Sequence, residues 1–234
     1  MSNKINMLRS DGNESHADMA HRKLEELIVT LKLPPGSKWS EESLGELISI
    51  GRTPVREAVK RLENDSLLRI LPRHGVMVAE VDLRHQMLVV ELRRELELFI
   101  TTRATRRASM REREALLAMA TRMAESGTTD VLSYLRHLFE INGVIARLAG
   151  NPFAEKAISP LHALSRRFYF QYYLELDNLA VVGNLHASRA QAIAEKDEAR
   201  AVEHARELMD VIYDYTQDLF YRSIGAGVNT PPHN

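Results

Sequence analysis

Along residues 17–32, Met19, Leu24, Leu27, Ile28 and Leu31 recur on one side of a 3.6-residue period, which predicts a helix. The "LPPGS" at 33–37 ends it, because two prolines and a glycine cannot continue helical hydrogen bonding. Ser40, followed by Glu41 and Glu42, predicts an N-cap with an acidic first turn. That second helix is expected to reach about Ile50, with Leu44, Leu47 and Ile48 inward. Gly51 predicts a tight turn, Thr53 an N-cap, and Pro54 the first position of a third helix running to Asn64. Two short apolar pieces follow, "LLRIL" (67–71) and "GVMVAEV" (75–81), with "PRHG" (72–75) completing a hairpin that has a basic tip. From Asp82 onward only helical patterns occur. Asp82 caps a helix to about Arg107, and others are expected near 111–126, 130–149, 153–176, 179–196 and 198–221.

The expected fold is therefore mainly α. A winged helix-turn-helix of three helices and a two-stranded wing spans 16–81, and an all-helical bundle of about six helices spans 82–224. Residues 1–15 and 225–234 read as disordered tails.

Composition narrows the classes. The chain has 234 residues, 44% hydrophobic and 27% charged, as in ordinary globular domains. No apolar run approaches membrane-spanning length, so no membrane role is expected, and "MSNKINMLRSDGNES" lacks the apolar core of a secretory signal. There is no cysteine, which excludes disulfides, thiolate metal sites and a cysteine nucleophile; it fits a reducing, cytoplasmic setting. Formal net charge is −1, yet residues 52–73 hold six cations against three anions. A local basic patch on a neutral chain suits specific nucleic-acid binding better than bulk electrostatic coating.

The patch has a geometry. Arg52, Arg56 and Lys60 are four apart and share one helix face; Val55, Ala58, Val59 and Leu62 form the other. A solvated charged face is the ordinary reading of such a helix taken alone. The preceding helix and turn favour the alternative, a helix projected into a major groove of double-stranded DNA. Arginine at its N-terminal end can grip guanine O6 and N7, a pair giving about 1–3 kcal/mol of discrimination. Ser40, Thr53 and free first-turn N–H groups suit phosphate; Arg73 and His74 at the wing tip suit an adjacent groove, with Gly75 serving backbone geometry.

On "LPPG", "RTPVREAVKRLE" and the "PRHG" wing, residues 18–82 resemble the DNA-binding domain of the GntR family of bacterial transcription regulators. On "ELRRELELFITTRATRRA" (91–108), "IARLAGNP" (145–152) and "HASRAQAIAEKDEARA" (186–201), the remainder is similar to the FadR-like branch with an FCD effector domain. The resemblance implies a homodimer that binds a palindromic operator, usually as a repressor, and responds to a small ligand. It also implies DNA contacts by Arg52, Arg56 and His74. A further DNA-contacting arginine of some members falls here on Glu42.

Many FCD domains bind a divalent metal through an Asp, a His four residues later, and two later His. Those positions fall on Leu138, Asn142, His186 and Leu208, so the resemblance leaves one ligand in register. Leucine cannot ligate, and a metal-free or weakly binding site is expected, with His186 the sole candidate. His137 and His204 lie about 100° around their helices from the family positions; for His204 a packed or hydrogen-bonded role is expected. Arg93 matches an arginine that often faces the pocket. Buried, it needs an anion: a small carboxylate ligand, or an internal Glu or Asp. The ligand reading makes Arg93, Asn142 and His186 the effector residues. The aromatic cluster at 166–178 reads as helical core.

Two alternatives stand beside this reading. A helical metalloenzyme with an accessory winged helix has no His-Glu-x-x-His, phosphate loop or serine elbow to support it, so no enzyme is expected. A regulator that has lost ligand sensing remains open.

Overall fold

The computed structural model describes residues 14–126, 131–172 and 179–225. Most of the two expected tails, the "GTTD" break and the end of the aromatic cluster lie outside these residues. The described residues form two compact units. One holds the chain up to Val81 together with the part of a later helix from Ser159; the other begins at Asp82 and holds the rest.

In the first unit, α1 (His16–Val29) starts where Ser15 accepts from the Asp18 N–H, so Ser15 is a cap rather than tail. It stops three residues short of the expected end, because Leu31 takes a left-handed φ of 54° ahead of the prolines. A two-residue strand, β1 (Lys38–Trp39), precedes α2 (Glu41–Ile48). Ser40 caps α2 in a reciprocal box with Ser43. After α3 (Arg52–Asn64) come β2 (Leu68–Leu71) and β3 (Gly75–Val78). The sheet order is β1-β3-β2, all antiparallel. The expected two-stranded wing is thus a three-stranded sheet, because Lys38 and Trp39 pair with Met77 and Val76.

Three helices close over one apolar core: Ala20, Leu24 and Ile28 of α1, Leu44 and Ile48 of α2, and Val55, Ala58, Val59 and Leu62 of α3 are buried. Burying each of the larger ones is worth about 1.5–3 kcal/mol. Leu47, expected inside, is half exposed. The part of α7 (Pro152–Tyr172) beyond Ser159 completes this unit. There Arg166 bonds Glu25, and Arg167 donates to the Ala79 and Glu80 carbonyls, each at 2.9 Å. Burial pushes the Arg167 guanidinium down to about 10, since two carbonyls replace its water only in part.

The second unit contains α4 (Leu83–Arg107), α5 (Met110–Ser126), α6 (Val131–Leu148), the start of α7, α8 (Leu179–Glu195) and α9 (Glu198–Gly225). Asp82 caps α4 by accepting from the Arg84 N–H at 2.8 Å, as its position predicts. Asn151 caps α7, with Pro152 as its first residue. Helix α8 packs on α5 and α9, while α4 packs on α9 and α6. The inward face of α4 repeats every four residues as Arg93, Glu97, Thr101 and Thr105, a buried polar ladder; Asn142, His186 and Arg189 on other helices of this unit are buried as well.

Candidate nucleic-acid interface and effector core

The connection from α2 to α3 sets what α3 exposes. Ser49 carries the left-handed residue of the turn, with φ 55° and ψ 48°. Gly51 is extended and has nothing within 4 Å of a hypothetical Cβ. The glycine that the turn requires is Gly45: a Cβ there would meet the Ile50 carbonyl at 2.8 Å. Gly51 is also the N-cap of α3. The cap expected at Thr53 is therefore corrected: Arg52 is already the first helical residue, and Thr53 and Pro54 fall in the first turn. The helix has no side-chain cap, so its first N–H groups stay free for an anion.

Arg52, Thr53, Arg56 and Lys60 are all exposed, opposite the buried Val55, Ala58, Val59 and Leu62. Ser40 is exposed at the start of α2, its hydroxyl engaged with Ser43. Arg73 and His74 are exposed at the wing turn, where Arg73 takes φ 66°. Gly75 has φ +82°, and a Cβ would stand 2.3 Å from the Trp39 carbonyl oxygen; only glycine fits there.

Sequence reasoning did not single out Glu41 as a partner of the basic face. Its carboxylate accepts from the Arg56 Nε at 3.0 Å and lies 3.8 Å from the Arg52 Nε. One carboxylate on α2 thus pairs with two of the three arginines of α3. Its place in the first turn of α2, at the positive end of that helix, was legible; the contact across the turn was not.

The second site lies inside the second unit. Arg93 is buried and donates through Nε and Nη2 to Glu97 Oε1, at 3.2 and 3.0 Å. Of the two anions the sequence left open, the internal one is present. The other Glu97 oxygen accepts from Arg189 Nη1 at 2.5 Å, and Arg189 Nη2 donates to Asn142 Oδ1 at 2.6 Å. Arg189 is fully buried, and His186 lies one turn before it on α8, 1% exposed. Arg93, Asn142 and His186 are thus all in the core, the first two joined through Glu97 and Arg189. Neither of those linking residues was foreseen. Glu97 could have been found four residues after Arg93, and Arg189 as a charge among the alanines of α8.

The metal positions implied by the resemblance do not fit a metal. Leu138 and Leu208 are buried and carry no atom that can ligate. Asn142 Oδ1 already accepts from a guanidinium. A metal at ordinary bond length from that oxygen would lie within about 5 Å of Nη2, and repulsion would be on the order of 7 kcal/mol at an effective dielectric of about 20. Among the described residues, no three His, Asp or Glu side chains are grouped so as to hold a metal ion. His204 bonds Glu207 at 3.1 Å, a hydrogen-bonded role as expected.

Comparison with known proteins agrees with both halves. Residues 16–78 match the family described as bacterial regulatory proteins, gntR family, and residues 88–211 match the FCD domain. The Nta operon transcriptional regulator of Aminobacter aminovorans is 23% identical over 84% of this chain and 96% of its own length. An uncharacterized HTH-type transcriptional regulator in an unstable DNA locus of Streptomyces ambofaciens is 34% identical over 76 residues. The chain spans about a third of that relative's length. The solved structure of McbR/YncC from E. coli shares the fold, with a TM-score of 0.75 at 19% identity, covering 88% of this chain and 99% of that one. No helix among the described residues is long and apolar enough to cross a membrane.

Proposed function

Because the chain belongs to the GntR family of bacterial regulatory proteins and carries an FCD domain, we propose that it is a cytoplasmic, homodimeric repressor that binds a palindromic operator and answers to a small organic acid. Regulators of this family are in general not enzymes, and no residue here is assigned a catalytic role.

One observation carries the DNA-binding half: α3 buries one whole face and exposes Arg52, Arg56 and Lys60 on the other, with its first N–H groups uncapped. In this reading Arg52 and Arg56 read base edges, and Lys60, Thr53, Ser40 and Arg73 hold phosphate. His74 enters the neighbouring groove from the wing, at a turn that Gly75 permits. Dimerisation is supported by Leu88, Leu92 and Phe99, exposed on one face of α4 by 64, 53 and 43%. A two-fold copy covers that face and pairs two reading heads on one duplex.

The effector half rests on the buried polar core. Arg93, Asn142 and His186 are the binding residues in this reading, and the ligand acts by favouring one spacing of the heads over another. A second reading, a regulator without ligand sensing, draws on the fact that Glu97 already satisfies Arg93. Thermal unfolding in the presence of small organic acids separates the two, since a ligand at 100 times its Kd adds about 2.7 kcal/mol.

The whole proposal is tested by selecting a duplex from a random pool and titrating salt. Two heads that neutralise about eight phosphates give a slope of log K against log[salt] near −7. A slope near −1 rejects the dimeric footprint.

A further inference from the structure

The core of the second unit holds two guanidinium groups against one carboxylate among its described residues. Arg93 and Arg189 both bond Glu97, one on each oxygen. Two of the buried polar atoms of this unit have no partner among the described residues: Arg189 Nε, on the guanidinium that bonds Glu97, and the hydroxyl of Thr101, which lies one turn beyond Glu97 on α4. An N–H and a hydroxyl left unpaired in a buried core are costly to keep, as is one positive charge in excess. Both deficits are met by the same thing, a small anion with an oxygen for each donor.

We propose that Arg189 does in this chain what a metal ion does where a metal holds an effector: its guanidinium is the fixed cation on which the effector's carboxylate binds, so ligand recognition here is metal-independent. The inference rests on the ligand-responsive reading above and adds the cation, the donors and the ligand's charge. Arg189 reaches the site from α8, already oriented by Glu97 and Asn142 through its two Nη atoms. Its Nε–H and the Thr101 hydroxyl are donors for the ligand in addition to the Arg93, Asn142 and His186 of that reading. A monocarboxylate fits this inventory: one negative charge for the excess positive one, and two oxygens for two donors. A planar guanidinium matches it in a way lysine cannot.

The test uses the full chain with acetate, pyruvate and benzoate as probes and chloride as the matched salt. The unfolding midpoint is followed in EDTA, in added zinc, and in neither. The expected result is that at least one carboxylate raises the midpoint equally with and without EDTA. Thr101→Val is expected to fold as well as the parent, since its hydroxyl has no partner to lose, and to weaken that carboxylate about tenfold. Arg189→Lys keeps the charge but loses the planar donors, and is expected to abolish the shift. If the shift needs added metal, or EDTA removes it, the organic-acid reading survives and the guanidinium assignment falls. If no probe shifts the midpoint under any condition, both fall. A full shift in Thr101→Val together with Arg189→Lys overturns the assignment even if EDTA has no effect.

Discussion

Glu41 is the residue whose replacement bears most sharply on how the basic face works. In the free protein its carboxylate holds Arg56 at 3.0 Å and draws Arg52 to 3.8 Å, so operator phosphates and bases have to take both side chains from it. The Arg52 and Arg56 side chains are 69 and 53% exposed, so each pair is worth about 0.2–1 kcal/mol after screening by water and salt. Glu41→Gln therefore raises affinity for a random duplex by up to about 2 kcal/mol per head, or at most thirtyfold. The gain on the selected operator is smaller, because the free Arg56 no longer starts from a fixed position and has more rotamer freedom to lose. Specificity, the ratio of the two affinities, accordingly falls. The fold is hardly touched: removing a first-turn acid costs about 0.3–1 kcal/mol. The assay is competition binding by fluorescence anisotropy on both duplexes at fixed salt. Unchanged or weaker binding to the random duplex, or a rise in specificity, refutes the clamp.

Glu97→Gln leaves two guanidiniums in the core of the second unit without their carboxylate, and is expected to cost about 3–5 kcal/mol in urea unfolding; a loss under 1 kcal/mol contradicts the charge network. Hydrogen bonds from Arg61 and Ser15 hold the Asp18 carboxyl below its usual 3.8. A folded-state value below the unfolded one contributes stability that is present above about pH 4 and lost as acid protonates the group. With both side chains about half exposed, that contribution is at most about 1 kcal/mol. Asp18→Asn should flatten part of the decline in unfolding midpoint between pH 5 and 3, and an unchanged decline removes the pair from the acid response. Gly75→Ala places a Cβ against the Trp39 carbonyl at a left-handed φ, and is expected to cost about 2 kcal/mol or more in unfolding of the first unit; parental stability contradicts the wing geometry.

Much of this was legible in the chain. The α3 pattern of buried Val55, Ala58, Val59 and Leu62 against exposed Arg52, Arg56 and Lys60 follows from 3.6-residue spacing alone, and the structure keeps it. What escaped were contacts between elements. The strand of Lys38 and Trp39 is too short to carry an alternating pattern, and only its pairing with β3 defines it. Thr53 looked like the cap because a hydroxyl before proline is a common start, yet Ser49 turns the chain early enough that Arg52 is already helical. Glu41 and Arg56 are fifteen residues apart, and Glu97 and Arg189 ninety-two, so neither pair leaves a local signature. At the positions of the implied metal ligands, Leu138 and Leu208 signalled the loss. What replaced them lay on α8, in the one arginine of a helix otherwise rich in alanine.

The central claim is that Arg52 at the tip of α3 reads bases. Arg52→Ala should keep the unfolding midpoint and still bind random duplex, while its preference for the selected operator falls about tenfold or more per head, the discrimination expected of one arginine–guanine pair. Binding of selected and random duplexes by Arg52→Ala in the same ratio as the parent protein would contradict the account.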